Sequence, residues 1–409
     1  MYSGRRGLKI GLIASLVRPD GSTLDQGFVL DDALKLVDMG LEVHVFSRSI
    51  RNRFRWRKIW FHPMKPSTLL EYFKTVSELL KYLPVQTALR TPSQVLSDVL
   101  CVQSLREHIK DLDLIYAYSA YPEGLAAAIA LETVKASLTV EVHGSDIDIK
   151  PDLGYGIRRY KGYDAAVRWI LDRADAVIAS SLNLYREASE LLGSSSKLYL
   201  VSKGVDVDRF NPKTSGAPIR RRLGLENARV VFALDRHTRW CGFEDLIAAA
   251  AQVCRVRKDV VFLVGGDGPL RPYFEMLAAD MRIRRRILFT GPIPRLEAPS
   301  YYAACDVFVK PSLVEENVTP VIEAMATGKP VIASDIEGLR ELVADRVNGF
   351  LVSPKSVRLL ADRILYLLEN REEAGEMGVK ARETVEKAFN LDDRVRRLIQ
   401  IFEEVVRSK

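Results

Sequence analysis

Short apolar runs alternate with amphipathic helical stretches along most of this chain, and the alternation restarts once. The first series begins with KIGLIAS at residue 9, and the second begins with RVVFALD at residue 229. Apolar strands separated by helices are typical of parallel sheets that are covered by helices on both faces. The sequence therefore predicts two doubly wound α/β domains. The other predicted strands lie in LEVHVFS, DLIYAYS, LTVEVHG, ADAVIAS, KLYLVSK, VVFLVGG, RILFTG, VFVKPS and PVIASD.

The chain length agrees with this division. A chain of 409 residues exceeds what a single hydrophobic core usually serves. The polar segment NPKTSGAP at residues 211–218 contains proline and glycine and is the natural linker. We predict an N-terminal domain over residues 1–210, a C-terminal domain over residues 211–391 and a final helix over residues 392–409.

The composition is that of a soluble globular protein. Hydrophobic residues make up 47% of the chain and charged residues 28%, and no apolar run reaches the roughly 18 to 20 residues that span a bilayer. The start of the chain, with Arg5 and Arg6 before LKIGLIASLV, fits a first strand better than a signal peptide. The scattered cysteines indicate reduced thiols in a cytoplasmic protein, without disulfides or structural zinc. They are Cys101, Cys241, Cys254 and Cys305.

A net charge of +7 indicates an anionic partner, and the segment at residues 48–61 suggests which one. The segment reads RSIRNRFRWRKIWF and mixes arginines with aromatic residues. This mixture suits an anionic membrane surface, where guanidinium groups meet lipid phosphates and indoles lie at the boundary. It also suits single-stranded nucleic acid or a solvated loop whose rings pack inward. We favour the membrane surface and expect no nucleic-acid partner.

Two glutamates, Glu315 and Glu323, lie where a loop opens into a predicted helix. Thr319 can cap this helix, Pro320 suits its first turn, and Gly328 can close it in a left-handed conformation. Unpaired N–H groups and the positive dipole end at such a helix start attract a phosphate or pyrophosphate. Glu323, placed in the first helical turn, can accept hydrogen bonds from a ribose diol, and Glu315 can accept them from sugar hydroxyls. The bare pair of acids equally suits a solvated helix start.

The order of residues around this pair resembles the Glu, seven residues, Glu signature of family 4 retaining glycosyltransferases of the GT-B fold. Ala-Met-Ala and Gly-x-Pro-Val-x-Ala-Ser follow in register at residues 324–334, and residues 181–212 look like the same family at its domain junction. The resemblance implies two Rossmann-like domains facing each other across a cleft. It implies that a nucleotide-diphosphate sugar binds the second domain and an acceptor the first.

The resemblance also implies the reaction. A hexosyl group would move from a UDP- or GDP-sugar to an acceptor hydroxyl with retention of configuration, and the leaving phosphate would deprotonate that hydroxyl on the same face. The segment at residues 48–61 favours a glycan or lipid-linked acceptor at the inner membrane face, and hence a cytoplasmic protein peripheral to that membrane. An amphipathic helix predicted at residues 69–83 would pack on the first sheet or contact the same membrane.

His143 follows the predicted strand LTVEV and precedes Gly144. Ligands of open α/β sheets bind beyond the carboxyl ends of strands, and an imidazole there can hydrogen-bond a sugar hydroxyl or stabilise positive charge at the anomeric carbon. A lone histidine at a strand end also serves as a structural hydrogen-bonding group. The resemblance is to the family's His-Gly element beside the donor sugar, and it favours the functional role.

The segment FALDRHTRWCGFEDL resembles the family segment that carries an arginine and, five residues on, a lysine followed by glycine, the pair that grips the donor diphosphate. Arg236 matches the arginine, but Cys241 stands at the lysine position and removes a positive charge there. Losing one phosphate contact costs on the order of 2 to 4 kcal/mol of transition-state stabilisation. Arg239 is a candidate to reach the same phosphate. The turn VGGDGP, which contains Gly266, resembles the family's glycine-rich turn near the nucleotide.

Two other functions share these sequence features. A nucleotide-sugar 2-epimerase has the same architecture and needs no acceptor, and a nucleotide-sugar-binding protein with weakened turnover would explain Cys241. The Asp-x-Asp pairs of the chain are explained by chance, so we expect no catalytic metal and no cofactor beyond the sugar donor. The implied catalytic residues are His143 and Glu315. The implied donor-binding residues are Gly21, Arg236, Arg239, Cys241, Gly266, Val318, Thr319 and Glu323.

Overall fold

The computed structural model describes residues 7–14, 27–64, 102–315 and 317–409. The described residues divide into two compact units. The first contains those up to Ser202, apart from Gly27, together with Arg394–Lys409, and the second contains Gly27 and Lys203–Asp393. The predicted Gly21, Cys101 and helix at 69–83 lie outside the described residues.

The first unit is built on a mostly parallel sheet, in which eight strands are described. Their order is β3-β4-β2-β1-β5-β6-β7-β8, and the neighbours pair in parallel except β3 with β4. The strands are β1 Lys9–Ile13, β2 Glu42–Ser47, β3 Phe54–Trp56, β4 Ile59–Pro63, β5 Leu114–Ala117, β6 Ser137–Val142, β7 Ala176–Ala179 and β8 Leu198–Leu200.

The second unit is built on a parallel sheet of six described strands, in the order β11-β10-β9-β12-β13-β14. The strands are β9 Arg229–Leu234, β10 Val260–Gly265, β11 Ile287–Gly291, β12 Val307–Lys310, β13 Val331–Ser334 and β14 Gly349–Val352. Alternate residues of one strand enter different hydrophobic clusters: Val231 and Ala233 of β9 enter one, and Val230 and Phe232 enter the other. Because both faces of this sheet are buried, its strands are almost uniformly apolar.

Helices connect the strands of both units. The α-helices are Gly27–Asp38, Val102–His108, Leu125–Leu131, Gly144–Ile147, Lys161–Arg173, Leu182–Leu192, Ala217–Leu223, Phe243–Val256, Arg271–Asp280, Ala298–Ala304, Thr319–Ala326, Glu337–Arg340, Val357–Glu369, Arg371–Ala388 and Leu391–Arg407. A π-helical turn covers Ala120–Gly124, and 3₁₀ turns cover Pro151–Leu153 and Ile157–Arg159. Among the helices described here, none is long and apolar enough to cross a membrane.

A buried cluster of charges joins the final helix to the rest of the first unit. The Arg394 guanidinium donates to the carboxylates of Asp32 and Glu141, with closest N···O distances of 3.0 and 2.9 Å. It also donates to the carbonyl oxygens of Val201 and Ser202. All three charged side chains are at most 2% exposed. Burial alone would lower the pKa of Arg394, but the two carboxylates outweigh burial and raise it.

The predicted α/β architecture is confirmed, and a strand is present in every run predicted to contain one. Strands β3, β4 and β14 were not predicted. The change from the first unit to the second falls between Ser202 and Lys203, whereas the sequence placed it at residues 210 and 211. The described cysteines Cys241, Cys254 and Cys305 are buried free thiols.

Candidate functional site

The carboxyl ends of β9, β10 and β12 meet at one edge of the second sheet, where open α/β folds bind their ligands. Asp235 follows β9, Gly266 follows β10, and Lys310 ends β12. Gly266 has φ +102°, and a Cβ atom there would lie 1.8 Å from the carbonyl oxygen of Asp235. A side chain cannot be accommodated at this turn, so the glycine-rich turn packs directly against the backbone after β9.

Three charged side chains form a buried cluster at this edge. The Lys310 ammonium lies 2.7 Å from Asp235 Oδ2 and 3.5 Å from Glu315 Oε1, and the Lys310 side chain is 2% exposed. Burial alone would lower the pKa of Lys310, but the carboxylates of Asp235 and Glu315 raise it. Burial raises the pKa of Glu315, and the Lys310 ammonium opposes this shift. With all three groups ionised, the cluster carries one net negative charge.

Cys241 is buried beside this cluster. Its thiol donates to the Thr238 carbonyl oxygen at 3.0 Å, and burial raises its pKa. The next residue, Gly242, has φ +71°, and a Cβ atom there would lie 1.8 Å from the carbonyl oxygen of Pro311. Position 241 is thus held firmly against the segment after β12. The nearby buried ammonium belongs to Lys310, and two carboxylates already neutralise it.

The two arginines expected at the donor diphosphate are on the surface of the second unit. Arg236 and Arg239 both follow β9 and are exposed to solvent. The backbone N–H of Arg236 donates to Asp235 Oδ1 at 2.7 Å. Their exposure at a strand-end edge is compatible with contact to an anionic ligand.

The helix Thr319–Ala326 corrects three sequence predictions. Thr319 is its first residue and not its cap: Val318 occupies the cap position, and the Asn317 side chain accepts the Thr319 N–H at 3.0 Å. The N–H of Val321 donates to the Val318 carbonyl oxygen at 3.0 Å, so fewer N–H groups are available to a phosphate than expected. The Thr319 hydroxyl oxygen is buried without a hydrogen-bond partner among the described residues.

Glu323 lies beyond the first turn of this helix, and not within it as predicted. Its side chain is 2% exposed, and its Oε1 accepts a hydrogen bond from Arg295 in an ion pair. Burial together with the nearby Glu323 carboxylate raises the pKa of Tyr302. The predicted left-handed closure of the helix is confirmed, because Gly328 has φ +70°.

His143 belongs to the first unit, where it precedes the short helix Gly144–Ile147. Its Nε2 lies 2.5 Å from the carbonyl oxygen of Tyr118. That contact requires a proton on Nε2, so Nδ1 is the acceptor of the neutral imidazole. The backbone N–H of His143 donates to Asp146, whose carboxyl is buried and has a pKa raised by burial to about 7.

The basic and aromatic segment forms a β-hairpin at the edge of the first sheet, and not a loop. Strand β3 pairs with β4, and the turn residues Arg57 and Lys58 both have positive φ, as two-residue hairpin turns require. The guanidinium groups of Arg53 and Arg55 lie 4.5 and 5.3 Å from the ring centroid of Trp60. Phe61 packs inward and is fully buried. The hairpin therefore presents arginines stacked on an indole.

Sequence reasoning missed Asp235, Lys310 and Arg295. A signal was present for the first two, because each lies at the end of a predicted apolar strand, where ligand sites are expected. Lys310 is also the charged residue of the run VFVKPS. Arg295 lies in the loop after β11 and carries no local signal of its pairing with Glu323.

Two family models match this chain. The model described as Glycosyl transferases group 1 matches residues 217–384, and the model described as Glycosyltransferase Family 4 matches residues 28–209. The first match contains the cluster around Lys310, and the second contains His143.

Curated relatives agree with these matches. TuaC of Bacillus subtilis (strain 168), which carries the name of a teichuronic acid biosynthesis glycosyltransferase, is 30% identical over 299 residues, 72% of either chain. A GDP-mannose-dependent alpha-(1-6)-phosphatidylinositol monomannoside mannosyltransferase of Mycobacterium tuberculosis (strain CDC 1551 / Oshkosh) is 28% identical over 303 residues. That alignment covers 72% of this chain and 76% of the relative.

Solved structures share the GT-B fold with this chain. Sucrose-phosphate synthase from Thermosynechococcus elongatus has a TM-score of 0.78 and 22% identity, with 98% of this chain and 100% of the other covered. Anabaena Alr3699/HepE, solved in complex with UDP and glucose, has a TM-score of 0.76 and 22% identity, with 97% and 99% covered.

Proposed function

Because this chain belongs to the group 1 glycosyltransferases of family 4 and uses a nucleotide sugar, we propose that it moves a hexosyl group with retention of configuration. The donor is a UDP- or GDP-hexose, and the acceptor group is a hydroxyl. One relative is named as GDP-mannose-dependent, and one structural neighbour was solved with UDP and glucose. The observation that carries the proposal is the buried Glu315 carboxylate, whose Oε2 accepts no hydrogen bond from the described residues.

In this proposal, different residues of the second unit bind different parts of the donor. Arg236 and the Thr319 hydroxyl, which is buried without a hydrogen-bond partner among the described residues, bind the diphosphate, and Glu315 accepts from the sugar hydroxyls. Glu323 contributes its remaining carboxylate lone pairs to the ribose while Arg295 occupies Oε1. In a retaining transfer the leaving phosphate takes the proton of the acceptor hydroxyl. On the first unit, His143 supports the sugar with its imidazole.

A thermal-shift screen followed by product analysis tests this assignment. UDP, GDP, ADP and their hexose conjugates are added with and without EDTA, because a ligand that binds the folded state raises its apparent stability. We expect one nucleotide series to raise the melting temperature in both conditions, and the Glu323→Gln variant to reduce the shift. Product formed from that donor should keep the anomeric configuration by NMR. An inverted product would overturn the proposed mechanism, and the absence of any nucleotide-dependent shift would overturn the donor assignment.

A binding protein with weakened turnover is the second candidate, and the cluster around Lys310 favours it. The positive charge expected at position 241 is absent, and the buried ammonium of Lys310 is already neutralised by Asp235 and Glu315. Tight donor binding without product under a broad acceptor mixture would support this candidate. A gain of turnover in Cys241→Lys, with donor affinity unchanged, would show that the missing charge limits the transfer step.

We propose further that the acceptor is presented at an anionic membrane surface, which the hairpin Phe54–Pro63 contacts. Arg53, Arg55 and Arg57 are exposed, and stacking on Trp60 and Trp56 holds their guanidinium groups in place. Each arginine near an anionic surface contributes about 1 kcal/mol. Cation–π stacking therefore fixes the positions of these guanidinium groups before the hairpin meets lipid phosphates.

Co-sedimentation with vesicles of phosphatidylglycerol and phosphatidylcholine tests the hairpin. The triple change R53A/R55A/R57A should weaken binding on the order of 100-fold, since three contacts of about 1 kcal/mol are lost. The control R282A/R284A/R285A removes the same charge from the second unit and should leave binding nearly unchanged. Equal losses in both variants would show that net charge alone, and not the hairpin, attracts the vesicles.

A further inference from the structure

The topology of the second sheet brings Asp235 and Lys310 together. Strands β9 and β12 are parallel neighbours, with Val231 opposite Val307 and Phe232 opposite Phe308. Continuing this register places Lys310, the last residue of β12, opposite Leu234, the last residue of β9, and Asp235 follows Leu234 directly. Two opposite charges separated by 75 positions in sequence therefore meet at the edge where ligands of this fold class bind.

The two oxygens of the Glu315 carboxylate have different surroundings. Oε1 accepts the N–H of Asn317 at 2.6 Å and lies 3.5 Å from the Lys310 ammonium. Oε2 is buried and accepts no hydrogen bond among the residues described. A buried carboxylate oxygen without a donor carries a desolvation cost that a ligand hydroxyl would relieve.

The stem of Glu315 is also held in place. A Cβ atom on Gly338 would lie 3.4 Å from Glu315 Cβ and 3.5 Å from its Cγ, so the backbone at residue 338 packs closely against the glutamate stem. Lys310 in turn is fixed by Asp235 at 2.7 Å. The Glu315 carboxylate is thus held by packing of its stem and by the contacts of Oε1, and Oε2 is available to accept a hydrogen bond from a ligand.

We propose that Lys310 and Asp235 are positioning residues, which hold Glu315 as a carboxylate with Oε1 occupied and Oε2 presented to a hydroxyl of the donor sugar. This inference rests on the proposed function, since it needs a sugar at that edge of the sheet. Lys310 favours the ionised form of Glu315, and Asp235 restrains Lys310 while its own charge disfavours that form. The two residues therefore act on Glu315 with opposite sign.

The pH dependence of kcat/KM separates this role from a merely structural one. If Glu315 must be ionised, activity falls as pH drops through its pKa. Lys310→Met removes the stabilising cation, so the acidic limb should move to higher pH by about one unit or more. Asp235→Asn removes a repelling charge, so the limb should move to lower pH. Lys310→Arg keeps the charge and should return the limb toward its original position.

A uniform loss of activity at every pH in K310M and D235N, with the acidic limb unchanged, would overturn the proposal. Shifts of the limb in the same direction in both variants would also overturn it. Circular dichroism of each variant establishes that the fold is retained, and K310R supplies a charged variant if K310M does not fold.

A measurement without turnover distinguishes failure of this inference from failure of the proposed function. The protein is labelled with ¹³C at glutamate carboxyls, and the Glu315 signal is assigned by its absence in E315Q. The pKa of Glu315 measured from this signal should be higher in K310M and lower in D235N, even if the protein turns over no donor. Addition of the nucleotide sugar, but not of the nucleotide alone, should shift the same signal. An unmoved titration in both variants overturns the positioning role, whereas absence of product with every donor overturns only the proposed function.

Discussion

Each unit of this protein contains a buried cation between two carboxylates among its described residues. The two clusters differ in how many of their polar atoms have hydrogen-bond partners. In the first unit, all three nitrogens of the Arg394 guanidinium donate to oxygens of the protein. The hydroxyls of Tyr116 and Tyr118 donate to Glu141 and Asp32 respectively. In the second unit, Lys310 contacts both carboxylates, but Glu315 Oε2 is left without a donor among the described residues.

This difference shows how similar charge groupings serve different ends. A buried network in which every group is paired stabilises one arrangement of its elements, whereas a partly paired network carries a cost. The guanidinium, with five donors in a fixed fork, suits the closed cluster. The lysine ammonium is a compact charge that can hold one oxygen of Glu315 while the other stays open. We therefore interpret the first cluster as structural and the second as part of a ligand site.

The largest expected effect comes from opening the closed cluster. Arg394→Met leaves Asp32 and Glu141 buried without a cation, and removal of one partner from such a pair costs about 3 to 5 kcal/mol. We expect the urea midpoint of the first unit to fall accordingly. The control Arg407→Ala changes an exposed arginine of the same helix and should leave the midpoint unchanged. Equal midpoints for R394M and R407A would contradict the structural role.

The corresponding changes Glu315→Gln and Glu141→Gln compare the two clusters directly. E315Q should lower kcat/KM by about 10² to 10³ with little loss of stability, because its carboxylate acts on the ligand. E141Q should cost about 1 to 3 kcal/mol of unfolding free energy, because Arg394 and Tyr116 lose a charged acceptor. Donor turnover and urea denaturation of both variants make the comparison. The reverse pattern would exchange the roles that we assign.

Adding a second lysine to the cluster of Asp235, Lys310 and Glu315 tests how an extra positive charge there changes stability. Cys241→Lys adds length and an ammonium beside Lys310 and should cost about 1 to 3 kcal/mol. Cys241→Met has similar length without the charge. The K310M change should relieve part of the cost of C241K, because Asp235 can then pair with the new ammonium. A double-mutant cycle of C241K and K310M by urea denaturation should give a coupling of about 1 kcal/mol or more. Additive changes in unfolding free energy would mean that residues 241 and 310 do not interact electrostatically.

Asp146 shows what happens to a carboxyl whose pKa is governed by burial and not by a neighbouring cation. It accepts the backbone N–H groups of Ala120 and His143, and burial raises its pKa to about 7. A carboxyl with a raised folded-state pKa stabilises the fold at low pH, and that contribution is lost as pH rises through 7. Between pH 6 and 8 the unfolding free energy should fall by about 1 kcal/mol from this group. Asp146→Asn should remove this slope, and an unchanged slope would assign it to another group.

The architecture was predictable because its signal repeats along the chain. Apolar runs flanked by helices indicated both sheets, and both are present. The hairpin was missed because its turn, Arg57 and Lys58, lacks the glycine or asparagine that marks a two-residue turn. Strand β14 was missed because GFLV is too short to show a period.

The site was only partly predictable. Glu315 and Glu323 were found from their motif, but the motif did not show that both are buried and paired with cations. Those cations are Lys310 and Arg295, and Asp235 joins Lys310 across 75 positions. Pairings of this kind follow from strand order and register, which local spacing does not contain. The cap of the helix was misplaced because the Asn317 side chain accepts the Thr319 N–H, so the helix begins at Thr319 and not after it.

The order in which the chain is made gives the Arg394 cluster a further consequence. Glu141 precedes Arg394 by 253 positions, so at roughly 5 to 20 residues per second its counter-ion is synthesised on the order of 10 to 50 seconds later. Until then the first unit holds unmatched acids in its core. The second unit, whose described residues end at Asp393, can be complete before the first one closes. During synthesis, the charge cluster of the first unit can therefore form only after the whole of Lys203–Asp393 has been made.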